Sequence, residues 1–309
     1  MISDKLWTEK YRPNTLDGYV FKDESLKDII NKWISEKSIP HILLSGVQGS
    51  GKTTLAKILT NELNVIEYDI MFANGSKEGR KIDWVDKVIS FCQTIPFGDF
   101  KVIIIDEADF LAPNTVQPSL RALTEQFSGS VRFILTCNYP NRIIPALHSR
   151  CQQIHIEKLD MTEFTARIAT ILISENIEFD LDVLDTFVQA SYPDLRKCIN
   201  NVQMNSIDGV LKLPDSNDSS SQDYQIAMVD LFKQGKVREA RKLLCSQARA
   251  EDMDYIYRWC YDNIELFGDT VEKQEKAILI IKQGLVDHTI CADAEINLSA
   301  TLIRLANNM

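Results

Sequence analysis

The 309-residue chain contains no apolar run approaching the ~20 residues that a membrane-spanning helix needs, and its first residues, Met1-Ile2-Ser3-Asp4-Lys5, lack the apolar core of a signal peptide. Membrane and secreted proteins are therefore not expected, and the cytoplasm is. The seven cysteines form no C-x-x-C pair, and none stands at metal-ligand spacing from the four histidines. They read as reduced thiols, most of them packed in cores, so neither a disulfide framework nor a zinc site is expected. Basic charge is also in deficit. At a net −10, with no acidic tail gathering the excess, the chain is unsuited to coating nucleic acid without specificity. Any DNA contact has to come from a local basic cluster and helix N-termini, repeated by oligomerisation. The length allows two or three domains.

What is present begins with Gly46-Val47-Gln48-Gly49-Ser50-Gly51-Lys52-Thr53, which fits the phosphate-binding pattern of Gly, four residues, Gly, Lys and Ser or Thr. The run Ile42-Leu43-Leu44 before it predicts a buried strand, and Thr54 to Leu59 after it a helix with an apolar face. In that context, backbone N–H groups of the loop and the helix N-terminus converge on phosphate oxygens. Lys52 is expected on the β- and γ-phosphates and Thr53 on Mg2+. Val102-Ile103-Ile104-Ile105-Asp106-Glu107 is the second signal, a central parallel strand closing in two carboxylates at its C-terminal edge. Asp106 is expected to be a Mg2+ partner, and Glu107 to orient and deprotonate the attacking water.

Other segments admit two readings. Tyr11-Arg12-Pro13, ahead of the first helix and too irregular to belong to it, either braces a purine and its phosphates or straps the N-terminus to the domain. Residues 16–20, ending at Val20, lead to a helix over 24–36; residues 65–70 read as a second strand, ending at Asn74-Gly75-Ser76. The densest basic patch, Lys77-Glu78-Gly79-Arg80-Lys81, is a phosphate contact or a solvated loop. Asn138, closing the strand 131–138, holds the attacking water or begins the turn toward Pro140.

Beyond Lys158 the pattern becomes helical. A nucleotide-binding base over 1–158 gives way to a small helical lid over 159–212, with Asp194 as an N-cap. The polar stretch 213–223 reads as a linker, and 224–309 as an all-α domain with Gly235 and Gly268 as helix stops, serving self-assembly or simply appended.

Together, Glu9-Lys10-Tyr11-Arg12-Pro13, Gly46 to Thr53, Asp106-Glu107-Ala108-Asp109, Asn138, Ser149-Arg150-Cys151 and Pro193-Asp194-Leu195-Arg196 resemble an AAA+ ATPase of the sliding-clamp-loader branch. The resemblance implies a doubly wound α/β ATPase domain with a helical lid and an all-α collar, and an ATP site drawing on Tyr11, Arg12, Val20 and the loop Gly46 to Thr54. It implies Asn138 as first sensor, Arg196 as the lid's sensor arginine, and Arg150 as a finger completing the neighbouring subunit's site, worth roughly 10³–10⁵ in rate. Ile39 to Leu44, Asn74-Gly75-Ser76, Lys81-Ile82-Asp83 and Tyr192 to Lys197 are most similar to the large subunit of T4-like bacteriophage clamp loaders, which are related to archaeal and eukaryotic replication factor C small subunits. That family implies four copies joined with one small subunit, a ring-shaped sliding clamp and primer-template DNA. DNA contacts are expected from Ser76, Lys77, Arg80, Lys81 and Lys87, the last because Trp84-Val85-Asp86-Lys87 lacks the arginine usual after Ile-Asp. Lys81 is further expected to restrain Glu107 until DNA arrives. Rival readings are a small-molecule kinase, a non-hydrolysing scaffold and a branch-migration motor.

Overall fold

Alternating apolar side chains divide each strand of the main sheet between two cores. The structure, a computed structural model, describes residues 6–21, 24–78, 82–214, 223–247 and 252–308. In chain order, the elements are α1 (Trp7–Lys10), α2 (Glu24–Ser35), β1 (Ile42–Gly46), α3 (Lys52–Glu62), β2 (Ile70–Asn74), α4 (Gly75–Glu78), α5 (Ile82–Gln93), β3 (Lys101–Asp106), α6 (Val116–Gln126), β4 (Val131–Cys137), α7 (Pro145–His148) and β5 (Gln152–Ile156). The five strands are all parallel, in the order β2-β3-β4-β1-β5. Leu43, Ile103, Ile105, Phe133 and Leu135 face a core shared with Trp84, Val88 and Leu120. Ile42, Leu44, Val102, Ile104 and Ile134 face the other, with Ile30, Leu55 and Ile58. Burial on both faces is what the unbroken apolar runs required.

Two local expectations are corrected. The second strand is not 65–70: residues Glu67–Asp69 form a 3-10 turn, and the strand begins at Ile70, opposite Val102. The cause is Asp69, fully buried, whose carboxylate accepts the N–H groups of Phe97 (3.1 Å) and Gly98 (2.7 Å) and so commits the segment to a turn. The N-terminal segment, expected to be irregular, makes one helical turn, α1, which buries Trp7.

The remaining elements are α8 (Met161–Ser174), α9 (Leu181–Ser191), α10 (Leu195–Met204), the hairpin β6 (Ser206–Ile207) and β7 (Val210–Leu211), α11 (Asp223–Lys233), α12 (Val237–Gln247), α13 (Met253–Asp262), α14 (Val271–His288) and α15 (Ala294–Ala306). The chain divides into two compact units, Met1–Phe164 with Pro193–Lys197, and Thr165–Tyr192 with Cys198–Met309. Sequence patterning separates a lid from a C-terminal domain. Contacts join them in the second unit: Lys233 pairs with Asp185, Trp259 Nε1 donates to the Gln189 carbonyl (2.8 Å), and the Tyr255 hydroxyl to that of Ala190 (2.7 Å). Most of the expected linker, 215–222, lies outside the described residues. Gly235 stops α11 in the left-handed region at φ 70°, whereas Gly268 is extended and serves close packing, since a Cβ there would meet Lys273 Cβ at 2.7 Å.

Candidate active site

The carboxyl ends of β1, β3 and β4 lie side by side, where a doubly wound sheet places its ligands. Gly49 and Gly51 adopt φ values of 75° and 89°, which only glycine holds without strain, and turn the loop after β1 into the N-terminus of α3. Lys52 is buried; its Nζ donates to the carbonyls of Gly46 (3.0 Å) and Val47 (2.7 Å). Burial pulls its pKa below the ordinary lysine value, opposed by Asp106, Asp109 and Asp194 among its neighbours. Ser50 Oγ is buried with no hydrogen-bond partner. A loop with an orphaned hydroxyl, a buried ammonium and glycine-only backbone fits a phosphate chain, which would give the hydroxyl a partner and the ammonium a counter-charge.

Asp106 is tied to both neighbours. Its Oδ1 accepts from Thr53 Oγ1 at 2.7 Å and from Thr136 Oγ1, and Thr136 Oγ1 in turn takes the Glu107 N–H at 3.2 Å. Glu107 itself sits in the left-handed region (φ 54°), a costly conformation for a non-glycine residue. Gly75 backs that turn so closely that a Cβ there would lie 2.4 Å from the Glu107 carbonyl oxygen. Asp109 is buried, and its Oδ2 accepts the N–H groups of Asn138 (3.3 Å) and Tyr139 (3.1 Å), fixing the end of β4. Burial pushes the adjacent Cys137 thiol up to about 12, so it stays protonated and inert.

The structure thus brings together Lys52, Thr53, Asp106, Glu107 and Asn138. Arg196 is exposed in the first turn of α10, whose N-cap Asp194 accepts the Lys197 N–H (3.1 Å) and presses on the loop: a Cβ at Gly49 would lie 2.3 Å from Asp194 Oδ1. Arg150 is elsewhere. It precedes β5, whose first residue donates to the His41 carbonyl (2.7 Å) and pairs with Ile42 at the amino end of β1, the edge opposite the phosphate loop. Tyr11 and Arg12 follow α1, with Arg12 bound to Glu9 at 2.8 Å, and Val20 is half-buried. Ser76 and Lys77 are exposed on α4, which Asn74 caps by accepting from Ser76 N–H (3.0 Å), and Lys87 is exposed on α5. Arg80 and Lys81 lie outside the described residues.

Three contributors escaped sequence reasoning. The Tyr19 ring walls the loop, 3.1 Å from where a Gly51 Cβ would stand, and burial drives its hydroxyl far above the usual tyrosine range. Thr136 joins Asp106 to Glu107, and Asp194 supports Gly49. Thr136 and Tyr19 carry no motif that could have marked them.

Residues 42–159 match the family described as "ATPase family associated with various cellular activities (AAA)". The chain is 32% identical to the replication factor C small subunit of Methanococcus vannielii over 97% of this chain and 98% of that one. It is 33% identical to that of Saccharolobus solfataricus, over 99% and 95%. The chain belongs to the replication factor C small-subunit family. It is an AAA ATPase of the clamp-loader type. In fold it is similar to the Thermotoga maritima RuvB Holliday junction branch migration motor, at 20% identity and a TM-score of 0.52 over 63% of this chain and 64% of that one. Among the described residues, no helix is long and apolar enough to cross a membrane.

Proposed function

We propose that this chain hydrolyses ATP in a ring of subunits that opens a sliding clamp and sets it on primer-template DNA. The observation that carries this reading is the position of Arg150, one strand-length of about 15 Å from its own phosphate loop. A cation at that edge serves a nucleotide only on the next subunit, so each site is complete only in an assembly. Within one chain, Lys52 and the N–H groups of the loop hold the phosphates, and Arg196 closes on the γ-phosphate from the lid side. Asn138 positions the water, and Glu107 takes its proton. Thr53 and Asp106 would hold Mg2+, which would supply charge neutralisation to the phosphates. A hydrogen bond from Thr53 Oγ1 to Asp106 Oδ1 (2.7 Å) places these two side chains side by side.

Two surfaces support the partners. Lys77 and Lys87 are exposed beside the Glu107 turn and on α5, and suit DNA phosphate. Tyr68, Ile95 and Phe97 are each more than three-quarters exposed, and the rings of Tyr68 and Phe97 lie 6.0 Å apart. Asp69 holds the tip of that cluster through its bonds to Phe97 and Gly98. A preformed apolar cluster of this size suits a folded protein partner, and we assign the clamp to it. The finer assembly, four copies with one small subunit as in the T4-like type, in a cytoplasm, rests on the sequence motifs. ATP hydrolysis measured with and without clamp and primed DNA tests the proposal. Rates that ignore both would leave only an ATPase of another kind, such as a branch-migration motor.

A further inference from the structure

Arg150 is not free at its edge of the sheet. One terminal nitrogen donates to the Ala146 carbonyl (2.9 Å) and to Ser149 Oγ (3.4 Å), and the other pairs with Glu125 at the end of α6. Nε is buried without a partner, and the side chain is 26% exposed. The terminal nitrogen that Glu125 holds is therefore the one left to meet an incoming phosphate. Yet Glu125 neutralises it, and a carboxylate at that nitrogen repels the same phosphate. Glu125 has a second cation at hand: Arg121, one turn earlier on α6, lies 4.0 Å from the same oxygen and is half exposed. Arg150 also lines a groove of about 460 Å³ with Trp33, Pro40, His41 and Arg132, open to an approaching surface.

We infer that Glu125 is a positioning residue that parks Arg150 in the resting chain and passes to Arg121 when Arg150 turns to the neighbouring subunit's nucleotide. The inference rests on the proposed reading of Arg150 as a finger acting in trans. Parking keeps an unpaired guanidinium off the surface of the separate chain. Arg121 keeps Glu125 from being stranded once the finger leaves, so the exchange trades one ion pair for another rather than breaking one.

The test uses full-length chain in its assembled complex, with ATP as the probe. Glu125→Gln keeps the shape of the side chain and removes its charge. Its kcat without DNA should rise about two- to fivefold, the range a half-exposed ion pair sustains, while KM for ATP stays unchanged, because the freed guanidinium meets the neighbour's phosphate in the transition state. Arg121→Gln should lower kcat and likewise leave KM unchanged. Placed in an Arg150→Ala chain, Glu125→Gln should change neither, which a purely structural role would not require. An unaltered or lower kcat in Glu125→Gln, or an unaltered one in Arg121→Gln, overturns the latch. Wild-type hydrolysis by Arg150→Ala alone would instead bring down the finger reading beneath it.

Discussion

Lys52 follows the carboxyl end of β1, and Arg150 precedes the amino end of β5, its neighbour in the sheet, so two cations read as serving ATP stand at opposite edges of one parallel layer. A single chain has no means of bringing them to one phosphate without unravelling both strands. Mixed assemblies test this. An Arg150→Ala chain should bind ATP normally and hydrolyse it poorly among its own kind, yet regain turnover at its own site when a wild-type neighbour supplies the finger. Absence of rescue at every mixing ratio would point to a role in cis.

Glu107→Gln should retain ATP and Mg2+ binding and lose nearly all turnover, because the amide keeps the shape and removes the proton acceptor. The left-handed backbone at Glu107 is held by Thr136 and Gly75 and does not depend on the carboxylate, so the fold should be unaffected. Single-turnover hydrolysis separates the step from product release. A wild-type rate in this assay rejects Glu107 as the base.

Asp109→Asn should lower kcat about tenfold with little change in KM. It removes the charge that strengthens two bonds to the Asn138 and Tyr139 amides, a loss of about 1–2 kcal/mol in the placement of the β4 end. Steady-state kinetics on the variant, with nucleotide affinity measured in parallel, would decide. A rise in KM at constant kcat would mean that Asp109 serves binding and not the positioning of Asn138.

Phe97→Ala combined with Ile95→Ser should weaken clamp binding severalfold while leaving hydrolysis without clamp intact, since both side chains are exposed and the loop is held by Asp69 through backbone groups. Undiminished affinity in a pull-down titration with clamp would move the docking surface elsewhere.

His41 sets a pH limit on stability. Its Nδ1 accepts the Phe133 N–H (3.1 Å) and its Nε2 faces the Thr124 carbonyl (3.1 Å), so the folded state holds the neutral ring with the proton on Nε2. Burial lowers its pKa from the ordinary 6.5, with Thr124 opposing and Arg132 assisting. Below pH 6.5 the unfolded chain takes up a proton that the folded one resists, so stability present above that value is lost as pH falls toward the folded pKa. Denaturant midpoints at pH 7.5 and 5.5 should differ for wild type and differ less for His41→Gln. Equal slopes would exclude His41 as the source.

The phosphate loop, the Asp106-Glu107 strand end and the change from alternating strands and helices to a mainly helical pattern after β5 were legible in the sequence because each rests on local spacing. A glycine pattern, an unbroken apolar run and a helical period act within a few residues, and the chain cannot fold around them differently without exposing what they bury. The start of β2 was not legible, because it depends on Asp69 finding the amides of Phe97 and Gly98 some thirty residues on. Nor were Tyr19, Thr136 and Asp194 legible as walls of the site, since what qualifies them is distance to Gly51, Asp106 and Gly49 and not their type. Arg150 belongs to both kinds. Its motif could be read in the chain, but that it stands a full strand away from its own Lys52, with Glu125 holding it, was decided only when β5 paired beside β1.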